Sequence, residues 1–194
     1  RKILMELFVI LMDSYFFSHT SPLFSNFLIN AISGLLGIVQ QSVENDEHLV
    51  ALCCLVASGI FNLGSQHTSI LWEFGERLSK AIELPKEKGM ALILVPVFEQ
   101  LVDHFEQKMI QLVEEAWGIS EGDLTTKIKC FLNKLCYFTT SLELPNCISG
   151  VINLKKRGIS VRQTVETVMG DVMFDFDDLI DEELISNVIR TILR

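Results

Sequence analysis

The sequence predicts an all-α protein of about eight to ten helices. Apolar residues recur at helical spacing along most of the chain, and capping residues and helix stops punctuate it. No apolar run has a neighbour with which it would pair as a strand.

The elements follow in order. Lys2 to Phe17 places Ile3, Leu4, Leu7, Ile10 and Leu11 on one face. Ser21–Pro22 gives an N-cap and a proline at the first helical position, opening a helix towards Gln40. Asp46 caps the next helix, which stops at Gly64. Thr68 or Ser69 starts another, ending before Pro85. Met90 to Val95 has a strand-like composition, but without a partner it reads as a short buried helix interrupted by Pro96. From Val97 to Gly118 a single stripe runs through Phe98, Leu101, Val102, Phe105, Met109 and Leu112. Asp123 caps a helix carrying Leu124, Ile128, Phe131, Leu135 and Phe138. Pro145 opens a short helix ending at Gly158. Ser160 with Gln163 is a capping-box pattern, and Asp181 begins the last helix.

Charge is distributed unevenly. Ser14 to Val43 and Leu49 to Trp72 contain no Asp, Glu, Lys or Arg, and residues 1–72 hold only 7 of the chain's 41 charged residues. This predicts one domain over 1–194, charge-poor over 1–72 and more polar over 73–194, cut from a longer polypeptide. The charge-free stretches are too short or too polar for a convincing membrane span, which needs roughly 20 predominantly apolar residues. Inner helices covered by protein are expected instead, with Phe16, Phe17, Phe24 and Phe27 under that cover. The net charge of −9 argues against direct nucleic-acid binding and against anionic membranes. Five cysteines, odd in number and set among apolar residues, fit a reducing compartment, nucleus or cytoplasm.

No catalytic signature is present. The chain lacks G-x-S-x-G, the P-loop, G-x-G-x-x-G and H-E-x-x-H, and its four histidines lie in four different segments. Cys130, Cys136 and Cys147 do not have paired zinc-ligand spacing and read as small core residues. No catalytic, cofactor-binding or metal-ligating residues are therefore assigned, no cofactor is expected, and no small-molecule substrate is evident. From Asp171 to Glu183 the chain is rich in acids. Calcium ligation fails because the third and sixth positions are Met173 and Phe176. Candidate partner-binding residues are Phe174, Asp175, Phe176, Asp177 and Asp178 in this strip, Glu99, Asp103 and Glu106 on an outer helix face, and the basic cluster Lys155, Lys156 and Arg157. The acidic strip and the basic cluster also have a plainer account: acids favour a helix N-terminus and cations a helix C-terminus.

Ile82–Glu83–Leu84–Pro85 and Leu142–Glu143–Leu144–Pro145 repeat one junction 60 residues apart. These helix–Leu–Pro–helix junctions resemble irregular HEAT- or armadillo-type solenoids, although 60 exceeds their usual period of about 40–47 residues. The resemblance implies a HEAT/armadillo-like solenoid; a compact helical bundle is the other architecture the pattern allows. In function it implies a non-enzymatic protein–protein interaction scaffold, bound to partners or to the rest of its own chain. Such a chain is similar in style to helical subunits of nuclear genome-maintenance assemblies. The alternatives are a membrane-associated, Bcl-2-sized bundle, with Asn62–Leu63–Gly64–Ser65 as a faint shadow of that family's motif, and an enzyme without a recognisable motif.

Overall fold

The structure is a computed structural model that describes residues 2–18, 21–40, 69–146, 160–170 and 179–193. Among the described residues there are eight helices and no strand: α1 (Lys2–Phe16), α2 (Pro22–Gln40), α3 (Ile70–Ala81), α4 (Lys86–Gln100), α5 (Val102–Trp117), α6 (Leu124–Ser141), α7 (Val161–Met169) and α8 (Glu182–Ile192). The helix expected from Asp46 to Gly64 lies outside the described residues, as does the one expected from Pro145 to Gly158 beyond Pro145 and Asn146, which are not helical.

The architecture is the compact bundle. In a solenoid each repeat touches only its neighbours, whereas α4 packs against α1, α3, α5, α6 and α8. A helix enclosed on all sides should be apolar on all sides. Met90, Ala91, Leu92, Ile93, Leu94, Val97 and Phe98 of α4 are all buried. Around them an aromatic cluster ties four helices together: Phe16 lies 4.6 Å from Phe98, 5.3 Å from Phe105 and 5.7 Å from Phe131, ring centroid to ring centroid. Phe8 stacks on Phe138 at 4.0 Å.

The charge-poor region is covered only in part, where described, by its own chain, and Ile3 and Leu23 stay exposed. Phe16, Phe17 and Phe24 are buried, and Phe27 is half-buried against Phe24. Over Pro22–Val39, α2 is long and apolar enough to cross a membrane by length and composition. Here it buries Phe24, Leu28, Ile32 and Leu35 and packs on α1, α5 and α6.

Pro96 does not end its helix. It sits inside α4, and the chain breaks five residues later at Leu101, so the single helix expected from Val97 to Gly118 is divided between α4 and α5. Proline deletes one backbone hydrogen bond, but the buried residues flanking Pro96 on both sides hold the helix together. Leu101 then ends α4 through its N–H to the Val97 carbonyl and serves as N-cap residue of α5.

The repeated Leu-Pro junction is a shared helix stop. After α3, the Glu83 N–H donates to the Lys80 carbonyl and the Leu84 N–H to the Ser79 carbonyl. After α6, Glu143 donates to Thr140 and Leu144 to Thr139 in the same pattern. Both are Schellman caps, a motif that normally places glycine at the left-handed position. Here that position holds Glu83 at φ 54° and Glu143 at φ 55°. A side chain in this conformation costs roughly 1–2 kcal/mol, partly offset because glycine has more unfolded-state entropy to lose. Glu143→Gly is therefore expected to raise stability by about 0.5–1 kcal/mol, measured by urea unfolding. A loss of stability would show that the contacts of the Glu143 side chain outweigh the strain.

Candidate functional site

The start of α3 meets α1 at a buried carboxylate, and from there a cluster of ionisable and aromatic side chains runs along α3 to the start of α4. Its foundation is Asp13, fully buried near the end of α1. The sequence places a cap for α3 at Thr68 or Ser69. Ser69 does occupy the N-cap position, but its side chain does not cap, and its hydroxyl donates instead to Glu73 Oε1 at 3.1 Å. Capping is done from 58 residues upstream: Leu71 N–H donates to Asp13 Oδ1 at 2.7 Å and Trp72 N–H to Asp13 Oδ2 at 3.1 Å. Both carboxylate oxygens thus take the backbone donors of the first helical turn, where the dipole favours negative charge. Burial nonetheless pushes the Asp13 carboxyl well above the usual carboxylate range; the two N–H groups oppose this and the nearby Glu73 charge adds to it.

Trp72 carries the cluster outwards. Lys86 Nζ, at the start of α4, lies 3.5 Å from the Trp72 ring centroid, within cation–π range. The same ammonium is 3.2 Å from Glu76 Oε2, and Lys80 Nζ is 2.9 Å from Glu76 Oε1. The hydrogen bonds from Lys80 and then Lys86 hold the Glu76 carboxyl below its ordinary range. Close helix approach makes this possible. A Cβ on Gly89 would stand 2.0 Å from Ser79 Oγ and 2.4 Å from the Gly75 carbonyl oxygen, so only glycine lets the start of α4 lie this close to α3. Ser79, buried beneath, donates to the Gly75 carbonyl at 2.7 Å.

Lys108, Arg77 and Lys127 are committed elsewhere. Lys108 Nζ donates to the carbonyls of Tyr15 and Phe16 at the end of α1, both at 2.9 Å. Arg77 donates to the carbonyls of Val168 and Met169 at the end of α7. Lys127 pairs with Glu114. On α6 a shallow groove of about 510 Å³ is lined by Thr126, Lys129, Cys130, Asn133, Lys134 and Tyr137. Among the described residues no group of three or more His, Cys, Asp or Glu side chains could hold a metal ion.

Of the residues singled out from sequence, Glu99 is exposed in the last turn of α4. Asp103 is exposed and Glu106 half-buried on α5. The break at Leu101 divides this face between two helices. Phe174, Asp175, Phe176, Asp177, Asp178, Lys155, Lys156 and Arg157 lie outside the described residues. Sequence reasoning passed over Asp13, Trp72, Glu76 and Lys86. The available signal was Asp13 itself, a lone acid at the edge of 30 uncharged residues.

No family model matches the chain, and no curated protein sequence matches it. Its fold does match solved structures. The aldehyde reductase YqhD from E. coli, in its substrate- and cofactor-free form, superposes with a TM-score of 0.75 at 15% identity, over 97% of this chain and 51% of the reductase. A 1,3-propanediol oxidoreductase matches with a TM-score of 0.70 at 15% identity, over 96% and 50% of the two chains. The NADH-dependent butanol dehydrogenase A from Thermotoga maritima matches with a TM-score of 0.71 at 11% identity, over 97% and 50%. This chain therefore spans about half the length of the structures it resembles.

These matches correct the functional expectation. Absent motifs and an apparent helical array pointed to a non-enzymatic scaffold in a nuclear or cytosolic complex, with protein partners and no small-molecule substrate. The fold is instead that of half of three oxidoreductases whose names specify small alcohols and aldehydes. The scaffold reading falls with it, and nothing in the likeness supports a nuclear placement.

Proposed function

We propose that this chain is the helical half of a cytoplasmic alcohol–aldehyde oxidoreductase that uses a nicotinamide nucleotide. One observation carries the reading: the likeness runs over 96–97% of this chain in three oxidoreductases. At 11–15% identity that likeness establishes the fold, and the activity is our inference from it. A strand, glycine-rich turn and helix that cradle a dinucleotide phosphate do not occur among the described residues. The nucleotide does not fit here, and the reading gives its binding to the half this chain does not span.

What this half contributes is a positioned cation. A carbonyl being reduced gathers negative charge on oxygen, and a preorganised cation there lowers the barrier. Among the described residues Lys86 is the cation held by an aromatic ring and a carboxylate at once. We assign it to the substrate oxygen, with Glu76 and Trp72 fixing its position.

The reading is tested with the intact protein by following NADH and NADPH absorbance at 340 nm with short aliphatic aldehydes. Aldehyde-dependent oxidation of either nucleotide is the expected result. A folded protein that oxidises neither contradicts it. Lys86→Met should lower kcat about 100-fold while shifting stability by less than about 1 kcal/mol, because the ion pair is partly solvent-exposed. Unchanged kcat in this variant removes Lys86 from the role.

A further inference from the structure

We infer that Asp13 is a proton-operated latch, through which protonation of one buried carboxylate releases the first turn of α3 and loosens Trp72 beneath Lys86. This inference does not rest on the oxidoreductase reading. The geometry is specific. Each carboxylate oxygen accepts one backbone N–H, from Leu71 at 2.7 Å and from Trp72 at 3.1 Å. A proton on either oxygen makes that oxygen a poorer acceptor and gives it an O–H that needs a partner of its own, so one of the two bonds weakens. The longer bond, to Trp72, is the weaker one. The ring of that residue bears the Lys86 ammonium, which in turn reaches Glu76, so the change passes directly to an ionic cluster at the surface.

The charged groups of the helices around α1 are few. Helix α2 contains none, and α3 presents Glu73, which adds negative charge near Asp13. On α4 the charged residues are confined to the ends, Lys86, Glu87 and Lys88 in the first turn and Glu99 in the last. Lys108 of α5 is turned to the carbonyls of Tyr15 and Phe16. Among the described residues no cation pairs with the Asp13 carboxylate. Burial favours its protonated form, which shifts the event above the usual carboxylate range.

Trp72 supplies the readout. In a Trp117→Phe background Trp72 is the single tryptophan of the 194-residue chain, and its emission is recorded from about pH 4 to 8, well below the melting temperature. The expected result is an emission change with a midpoint above the ordinary carboxylate value of about 3.9, absent when Asp13→Asn is added. Glu73→Gln should move that midpoint to lower pH. An identical profile with and without Asp13→Asn overturns the inference, and so does a Glu73→Gln midpoint that stays or rises. Should Asp13→Asn fail to fold, backbone amide resonances of the otherwise unaltered protein decide. The Trp72 amide titrating with that midpoint supports the latch, and a Trp72 amide that is static across the range overturns it.

Discussion

Gly89→Ala is expected to cost this protein about 3 kcal/mol, the upper end of what overpacking a close-fitted interior does. The added methyl would be 2.0 Å from Ser79 Oγ and 2.4 Å from the Gly75 carbonyl oxygen. Ser79 could change rotamer, but it is buried and would abandon its bond to Gly75. The Gly75 oxygen belongs to the backbone of α3 and cannot step aside, so α3 and α4 must separate. Separation in turn opens contacts of the buried face from Met90 to Leu94. At a few degrees per kcal/mol for a chain of this size, the melting temperature should fall by about 10 °C. Thermal unfolding by circular dichroism measures it. A fall of less than about 2 °C would mean that the helices are not in backbone contact at this point.

Asp13→Ala comes next in size. It leaves the Leu71 and Trp72 N–H groups without acceptors at a buried helix start, at about 1–3 kcal/mol for each unsatisfied group. In acid, where the carboxyl is neutral, the net loss is about 3 kcal/mol; towards neutral pH, relief of the buried charge offsets part of it. The pH dependence has a definite sign. The folded-state pKa of Asp13 is raised, so its contribution to stability is fully present below the unfolded-state value of about 3.9 and is lost as pH rises through the raised value. The neutral acid is cheaper to bury than the carboxylate, even with one hydrogen bond weakened. The stability gap between wild type and Asp13→Ala should therefore be widest in acid and narrow towards neutral pH. Urea unfolding at several pH values measures it, and a gap that widens with pH would contradict the burial argument.

How much of this was legible in the sequence depends on how far apart the interacting atoms lie along the chain. Where a cap and its donor are three residues apart, the pattern was sufficient: Ser21 accepts from Phe24, Asp123 from Thr126, Ser160 from Gln163 and Asp181 from Leu184. At α3 the capping carboxylate comes from α1, and no local pattern encodes that. Pro96 was misplaced for a related reason, since local propensity ends a helix that tertiary burial sustains. The echo of Ile82–Pro85 in Leu142–Pro145 was a true structural repetition, but of a helix stop and not of a solenoid unit.

The site was less legible than the fold. Trp72, Glu76 and Lys86 come together only because Gly75 and Gly89 let two helices touch, and residue spacing alone does not show that contact. The functional class was missed because searches for local motifs assume that one chain segment carries a complete signature. Here the likeness lies in the arrangement of helices, over about half of each oxidoreductase and at 11–15% identity.

The central claim is that the protein containing this helical half transfers hydride between a nicotinamide nucleotide and a small carbonyl compound. Supplying the intact protein with NADH and NADPH deuterated at the transferable C4 position, together with butanal, tests it most directly. Mass spectrometry of the product should find 1-butanol carrying one deuterium at C1. Folded protein that yields no deuterated alcohol from either nucleotide would contradict the account.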